Sequence, residues 1–202
     1  MSEHYFTSSP TAAAQERPRS FLIRGREHAV TTAGAVFSAN HLDRGTQVLL
    51  SHVPDPPATG LFLDLGCGWG PIALALADAA PDAAVLAVDV NERAVDLAAR
   101  NASAAGLGNI RALMADDLLT ELRGGNTTVD LIWSNPPVRI GKEALHSLLL
   151  TWLARLSDNG EAWFVVQKNL GADSLMAWLN SQNWSATRAA SSRGFRVLHV
   201  HR

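Results

Sequence analysis

The chain alternates two kinds of apolar segment from residue 61 onward. Short runs of aliphatic and β-branched residues, beginning with Leu61–Leu65, are followed by longer runs rich in alanine and leucine, beginning with Pro71–Ala79. Short continuous apolar runs are typical of strands buried on both faces, and the longer runs are typical of helices. The alternation therefore predicts βαβ units and a doubly wound α/β fold around a mostly parallel sheet.

This pattern predicts about seven strands and four helices. The later strands are expected at residues 84–88, 111–113, 129–133, 162–167, 185–189 and 195–201. The helices are expected at residues 71–79, 93–105, 144–156 and 174–182. A turn is expected at 124–126, where two glycines precede an asparagine.

The residues before the first of these strands are expected to form an extension. Residues 21–38 contain Gly25 and Gly34 among apolar and polar residues, which indicates a hairpin. We therefore divide the chain into an extension at residues 1–58, packed on the core, and a main domain at residues 59–202 that carries the ligand-binding residues. Because 202 residues suit one buried core, the two parts are expected to form a single structural domain.

Composition and charge limit the classes of partner and cofactor. A net charge of −2 excludes a uniformly basic nucleic-acid coat, although a local basic face is compatible with that total. Cys67 is the only cysteine, so no intramolecular disulfide can form, and no Cys/His spacing resembles a zinc site. No apolar run approaches the ~20 residues of a membrane span, and the N-terminus lacks a signal-peptide pattern. We expect a cytoplasmic protein that uses no metal.

A glycine-rich turn at residues 64–70 follows the first strand and opens a helix. In this position glycines let the backbone approach a ligand, and the helix N-terminus offers unpaired amide hydrogens. Asp89 closes the second strand, 21 residues beyond Gly68, where its carboxylate can accept hydrogen bonds from both hydroxyls of an adenosine ribose. The pair indicates a nucleoside-containing cofactor, whereas a glycine-rich turn alone is as often a packing feature.

The spacing favours a sulfonium cofactor over a dinucleotide. A dinucleotide turn has the pattern Gly-x-Gly-x-x-Gly, but here Gly70 comes one place early and Pro71 follows it. Asp64 would repel a pyrophosphate, but it can orient the cationic methionine part of S-adenosyl-L-methionine through backbone or water contacts. Asp116 is a candidate for an adenine contact, although paired aspartates in a loop are more often solvated. The candidate cofactor-binding residues are Asp64, Gly66, Cys67, Gly68, Gly70, Asp89, Val90, Asp116 and Asn135.

The fourth strand ends in Asn135-Pro136-Pro137, at the edge where open α/β sheets bind ligands. The prolines fix the backbone and donate no hydrogen bond, which holds the neighbouring carbonyls as acceptors. An exocyclic amine on a base, or an amide nitrogen, is a poor nucleophile because its lone pair is delocalised. The Asn135 side-chain oxygen and the Pro136 carbonyl can accept its hydrogens and direct its lone pair at the sulfonium methyl. We therefore predict Asn135, Pro136 and Pro137 as catalytic residues, with a strand-terminating turn as the alternative.

These features resemble the class I S-adenosylmethionine-dependent methyltransferases, and in detail the "methyltransferase small" group that includes ribosomal RNA guanine-N2 methyltransferases. Further matching segments lie at residues 4–7, 34–38, 42–46 and 135–142. The resemblance implies a Rossmann-like, seven-stranded sheet with a reversed last hairpin, S-adenosyl-L-methionine across its carboxyl edge, and guanine N2 in ribosomal RNA as the acceptor. Many nitrogen methyltransferases place an aromatic residue after the second proline. In this chain that position is Val138, so the candidates for stacking on the base are Phe37 and Trp133.

The expected partner is RNA, either ribosomal RNA or a ribosomal subunit. Arg139 and Lys142 follow the catalytic motif, and with Phe37 and Val138 they are the candidate substrate-binding residues. Four more arginines precede the core and either extend this docking surface or form an ordinary solvated hairpin: Arg17, Arg19, Arg24 and Arg26. Two other functions stay open. Asn-Pro-Pro suits methylation of a protein glutamine side chain equally well, and the missing aromatic at residue 138 is compatible with a non-catalytic, cofactor-binding RNA-associated module.

Overall fold

The structure, a computed structural model, describes residues 16–34, 36, 41–123 and 127–202, so the turn expected at 124–126 lies outside it. Its strands are β1 (Glu16–Ile23), β2 (Arg26–Ala33), β3 (Leu61–Leu65), β4 (Ala84–Asp89), β5 (Ile110–Met114), β6 (Val129–Ser134), β7 (Leu156–Gln167), β8 (Ser185–Ser192) and β9 (Phe195–His201). Its α-helices are α1 (Arg44–His52), α2 (Pro71–Ala79), α3 (Glu92–Ala104), α4 (Ala115–Arg123), α5 (Lys142–Leu153) and α6 (Ala172–Ser181).

Seven strands form one sheet in the order β5-β4-β3-β6-β7-β9-β8. The first five strands in this order are parallel, and β9 runs antiparallel to both β7 and β8. The predicted seven-stranded, mostly parallel sheet with a reversed last hairpin is therefore confirmed. The strand order switches direction at β3, which has β4 on one side and β6 on the other. Open α/β sheets bind ligands at the carboxyl ends of the strands beside such a switch point.

Helices cover both faces of this sheet. Phe62 and Leu63 of β3 are both fully buried, and they point to opposite faces because side chains alternate along a strand. The core cluster around Phe62 takes residues from α1, α2 and α3, and the cluster around Leu63 takes residues from α4, α5 and α6. In the part of the chain that the structure describes, no helix is long and apolar enough to cross a membrane.

A two-stranded hairpin, β1–β2, packs beside this core. Arg24 and Gly25 form its turn with φ of 44° and 86°, as in the two-residue turns that fit the twist of antiparallel strands. Asn101 of α3 fixes the hairpin, because its side chain accepts the Thr31 N–H at 2.7 Å and donates to the Thr31 carbonyl at 3.0 Å. The predicted N-terminal hairpin is therefore confirmed, although its strands begin at Glu16 and end at Ala33 rather than covering residues 21–38.

Two helices were not predicted. The first, α1, is short, and its start is marked by Asp43, whose side chain accepts the backbone N–H of Thr46 at 3.0 Å as an N-cap. The second, α4, follows β5 without a loop and has Asp116 and Asp117 in its first turn. Carboxylates are favourable there because they face the positive end of the helix dipole. The expectation of a loop at these aspartates is therefore wrong.

Candidate functional site

A cavity of about 360 Å³ lies along the carboxyl edge of the sheet. Residues that follow β3, β4, β5 and β6 line it, together with the end of β7 and the start of β9. Seven of the proposed cofactor-binding and catalytic residues, and two of the proposed substrate-binding residues, lie on its wall: Gly66, Gly68, Asp89, Val90, Asn135, Pro136, Pro137, Val138 and Arg139. The fold therefore brings together segments that are far apart in the sequence.

The glycine turn after β3 approaches this cavity with its backbone. Gly66 has φ of 77°, and a Cβ added to it would meet no atom within 4 Å, so that the space in front of it is open. Its N–H and that of Cys67 both donate to the Val88 carbonyl at 2.9 Å, which ties the turn to the end of β4. A bare backbone beside an open cavity is suited to a ligand that lies flat against it.

Asp89 presents its carboxylate to the cavity from the end of β4. One oxygen accepts the Gly68 N–H and the other accepts the Asn91 N–H, each at 3.0 Å. Burial is the main influence on this carboxyl and raises its pKa, whereas the backbone hydrogen bonds oppose that rise. Each carboxylate oxygen keeps a further lone pair, so Asp89 can still accept hydrogens from a diol.

Asp64 lies behind the glycine turn, not on the cavity wall. Its side chain is fully buried, and one oxygen accepts the Ala73 N–H of α2 at 2.9 Å. The other oxygen has no hydrogen-bond partner among the described residues. Burial is the main cause that raises the pKa of Asp64 to about 8. The expected contact between Asp64 and the methionine part of the cofactor stays a prediction, but the raised pKa of Asp64 favours the neutral form of this carboxyl at neutral pH.

The remaining cofactor candidates lie around this wall. Cys67 is buried against a small neighbouring pocket of about 20 Å³, and burial raises the pKa of its thiol well above the usual range. Gly70 is needed for packing, since a Cβ there would lie 3.3 Å from the Ala98 side chain. Asp116 is exposed on α4, and its neighbour Ala115 lines the cavity instead. No group of three or more His, Cys, Asp or Glu side chains within the described ranges could hold a metal.

Asn135 is held in one orientation by α1. Its Nδ2 donates to Asp43 Oδ2 at 2.7 Å and to Thr46 Oγ1 at 3.2 Å. Because a carboxylate only accepts hydrogen bonds, the amide nitrogen must face Asp43, and Oδ1 is the atom left for a ligand. No donor in the described ranges contacts this Oδ1. Asp43 was not predicted as a site residue. An aspartate three positions before Thr46 is, however, a sequence signal for the start of a helix.

The prolines of the motif have a more specific geometry than predicted. Pro137 has φ −74° and ψ 73°, the conformation of an inverse γ-turn. The Pro136 carbonyl accordingly accepts the Val138 N–H at 2.8 Å. The predicted role of this carbonyl, to accept a hydrogen from the acceptor nitrogen, stays a prediction, and one of its two lone pairs is already used by Val138. The second lone pair remains able to accept a hydrogen.

The structure changes which aromatic residues are candidates for stacking on a substrate base. Trp133 is fully buried in the core and cannot stack on a base. Phe37 lies outside the described residues. Among the described residues, the aromatic side chain that lines the cavity is that of Phe195, at the start of β9. Phe195 was not predicted as a site residue, because only the antiparallel return of β9 brings it to the carboxyl edge.

The basic residues divide into structural and exposed groups. Arg24 is paired with Asp55 at 2.5 Å and lies over the Trp133 ring, and Arg26 is paired with Asp78. These two arginines therefore stabilise the hairpin rather than standing free. Arg139 is exposed and lies on the cavity wall. Four more exposed basic residues lie within three sequence positions of residues that line it: Arg44, Lys142, Lys168 and Arg193.

Comparison with known proteins gives matches at the levels of family, sequence and structure. The model of the methyltransferase small domain family matches residues 27–199. The chain is 32% identical over 198 residues to the uncharacterized protein YbxB of Bacillus subtilis (strain 168), covering 98% of each. It is 38% identical over 119 residues to ribosomal RNA small subunit methyltransferase C of Shewanella sp. (strain MR-4), covering 59% of this chain and 33% of that protein.

Among solved structures, the fold is similar to that of a 16S rRNA guanine-N2 methyltransferase of T. thermophilus in complex with AdoMet and guanosine. The TM-score is 0.74 at 23% identity, over 96% of this chain and 52% of that one. It is also similar to a ribosomal protein L11 methylase of Lactobacillus delbrueckii subsp. bulgaricus, with a TM-score of 0.57 at 22% identity, over 71% of this chain and 70% of that one. The chain thus spans about a third of the Shewanella relative and about half of the T. thermophilus enzyme.

Proposed function

Since the chain belongs to the methyltransferase small domain family, we propose that it methylates the exocyclic N2 of a guanine in ribosomal RNA. The family resemblance predicted from sequence is confirmed, and so are methyltransferase function and the use of S-adenosyl-L-methionine. The acceptor is the proposed part. The observation that carries it is the Asn135 side chain, which is fixed by Asp43 with its Oδ1 left to accept a hydrogen bond.

The donor half of the cavity suits S-adenosyl-L-methionine, which supplies an electrophilic methyl group on a sulfonium. The open backbone at Gly66 leaves room for the flat part of such a ligand. Asp89 offers carboxylate lone pairs to the ribose hydroxyls. We assign these residues to donor binding, with Val90 as an apolar contact.

Asn135 and Pro136 suit an acceptor nitrogen that carries two hydrogens in one plane. Asn135 Oδ1 and the second lone pair of the Pro136 carbonyl can accept those two hydrogens. This would turn the nitrogen lone pair toward the donor half. Methyl transfer would form the N–C bond as the sulfonium S–C bond breaks, with S-adenosylhomocysteine as the product. The nitrogen would become acidic only in that step and would release one proton to solvent, so positioning supplies most of the rate enhancement and no strong base is required.

Two observations favour RNA as the macromolecule that carries this nitrogen. Relatives that match much of the chain are named ribosomal RNA methyltransferases. The exposed Arg139 also lines the cavity, where it could contact a phosphate near a base that has left its stack. We propose ribosomal RNA or a ribosomal subunit as the partner, and the cytoplasm as the place of the reaction.

The direct test is methyl transfer from labelled S-adenosyl-L-methionine to undermethylated ribosomal subunits and to total RNA. We expect label in RNA, at a guanine identified by nucleoside mass spectrometry. Label in protein glutamine instead of RNA would show that the acceptor is a glutamine side chain and not a guanine. Transfer to neither would contradict the proposed function.

Two variants separate the roles of the donor and acceptor halves. Asn135→Ala should abolish turnover with only a modest change in the Kd for S-adenosyl-L-methionine, because it removes a contact to the methyl acceptor. Asp89→Ala should mainly raise that Kd, because it removes a contact to the methyl donor. Asn159→Ala serves as the matched control, since Asn159 is an exposed residue of β7 away from the cavity. Titration calorimetry and single-turnover assays measure both effects, and equal loss of donor affinity in both variants would contradict these roles.

A further inference from the structure

We propose that Phe195 and Gln167 form the binding site for the acceptor ring, with Phe195 stacking on its face and Gln167 hydrogen-bonding its edge. This inference rests on the proposed function, which requires a planar acceptor, and it names the residues that select that acceptor. Neither residue belongs to the glycine turn or to the Asn-Pro-Pro motif.

The order of the strands separates a donor half of the cavity from an acceptor half. Asp89 ends β4, and Gly66 and Ala115 directly follow β3 and β5, on one side of the switch point. Asn135 follows β6, on the other side. Gln167 ends β7 and Phe195 begins β9, still farther from the donor residues along the same edge. A molecule that meets Asn135 from the side opposite the donor must therefore lie against Gln167 and Phe195.

Gln167 and Phe195 are direct partners across the antiparallel pair β7–β9. Side chains of directly opposed residues lie on the same face of a sheet and contact each other. Both of these side chains line the cavity and are half-buried. They therefore form one continuous patch, with an aromatic ring beside an amide.

The Phe195 ring lies close to Asn135. A Cβ added to Gly45 of α1 would be 3.1 Å from Asn135 Nδ2 and 3.1 Å from a Phe195 ring carbon. The ring and the amide thus flank the same short stretch of backbone. Among the described residues, no other aromatic side chain lines the cavity, and Phe195 has no stacked ring partner. Because the half-buried ring lines the cavity, part of its surface is open to a ligand.

The opposite wall of the acceptor half is aliphatic. Phe195 packs against the core cluster on the α1 side of the sheet, whereas Val138 and Leu148 pack against the cluster on the α5 side. All three line the cavity. An acceptor ring between these walls would meet an aromatic face on one side and aliphatic side chains on the other. Phe195 therefore supplies the stacking surface that an aromatic residue at position 138 would otherwise provide.

Gln167 adds polar recognition at the edge of the ring. Its side chain makes no hydrogen bond within the described ranges, although it is half-buried. A carboxamide both donates and accepts, so it can pair with a ring edge that presents a carbonyl next to an N–H. Leu170, which is 43% exposed at the same wall, is an apolar residue that a bound nucleoside would partly cover.

The test separates acceptor binding from catalysis by using guanosine as the probe. Its Kd is measured by calorimetry or NMR titration on protein saturated with S-adenosylhomocysteine, for the wild type and for Phe195→Leu, Phe195→Tyr and Gln167→Ala. Stacking on an aromatic side chain contributes about 1–3 kcal/mol per base, so Phe195→Leu should weaken guanosine binding on the order of 10- to 100-fold. Phe195→Tyr should restore it, and Gln167→Ala should weaken it several-fold.

Two controls distinguish a loss of guanosine affinity from a loss of folding or of methyl-donor binding. The Kd for S-adenosylhomocysteine should change less than about twofold in each variant. Phe21→Leu is the matched control, because Phe21 stacks on Trp69 away from the cavity wall, and guanosine affinity should be unaffected by it. Unchanged guanosine affinity in Phe195→Leu, or no guanosine binding by the wild type, would overturn the inference. A wild type that binds guanosine through Phe195 yet methylates no RNA would overturn the proposed function alone.

Discussion

The orientation of a single amide determines what the candidate site can do. Asn135 is held through its nitrogen by Asp43, and Asp43 Oδ2 also caps α1 by accepting the Thr46 N–H. One carboxylate therefore couples the start of a helix to the residue that meets the acceptor. If the Asn135 amide rotated, it would present N–H groups to an acceptor amine, which carries hydrogens of its own, and the hydrogen bonds would be lost.

This coupling predicts different results for two substitutions at residue 43. Asp43→Ser keeps an N-cap residue, but its shorter side chain does not reach Asn135. We expect its kcat to fall about 10- to 100-fold, as for loss of a hydrogen bond to a charged group. Asp43→Asn keeps an oxygen in place and should retain most activity. Single-turnover rates are measured beside the Kd for S-adenosyl-L-methionine and the Tm, which should change little. If the Tm of Asp43→Ser fell together with its rate, the role of Asp43 would be merely structural.

At the scale of an element, α1 matters because the site comes so close to its first turn. A Cβ on Gly45 would lie 2.9 Å from Asp43 Oδ2 and 3.1 Å from Asn135 Nδ2. Residue 45 must therefore be glycine, because any larger side chain would collide with Asp43 and Asn135.

Gly45→Ala is therefore expected to lower activity even though alanine has the higher helix propensity, by about 1 kcal/mol. The added methyl must displace Asp43 or Asn135, so kcat should fall at least about tenfold. Gly108→Ala is the matched control, because a Cβ there would meet no atom within 4 Å. Methyl-transfer assays on both variants measure the effect, and full activity in Gly45→Ala would contradict the tight fit.

The elements show which parts of the molecule sequence alone could predict. β3 and α2 agree with their predicted bounds, because continuous apolar runs and a proline in the first helical turn are local signals. By contrast, the cap that Asp43 forms at α1 is a local signal, but the role of Asp43 in the site depends on a contact with Asn135, 92 positions away. The place of Phe195 in the cavity likewise depends on strand order. Contacts that only the completed sheet creates leave no local pattern in the sequence.

At the scale of the whole molecule, the buried carboxyl of Asp64 links stability to pH. Its pKa is raised to about 8 in the folded protein, compared with about 3.9 for an unfolded chain. Between these values the folded state binds a proton that the unfolded state does not, so this group lowers the free energy of unfolding as pH rises from about 4 to about 8. The loss has a slope of up to about 1.4 kcal/mol per pH unit.

Asp64→Asn should remove that loss, because asparagine has a similar shape and does not titrate. The stability of the variant relative to the wild type should then increase with pH across this window and level off above it. Urea unfolding of the ligand-free proteins at several pH values measures the difference. Parallel curves for the two proteins would show that Asp64 titrates near its ordinary value.

The division of the cavity into two halves also has a consequence for the order in which the protein becomes active during synthesis. The donor half draws on one continuous stretch of chain, from Gly66 to Ala115. The acceptor half joins distant positions: Asp43, Asn135, Gln167 and Phe195. A nascent chain emerges from its N-terminus, and contacts between distant residues form late. We expect the growing chain to acquire affinity for its methyl donor while β9 is still being translated, and to gain the ability to select an acceptor only when that strand has joined the sheet.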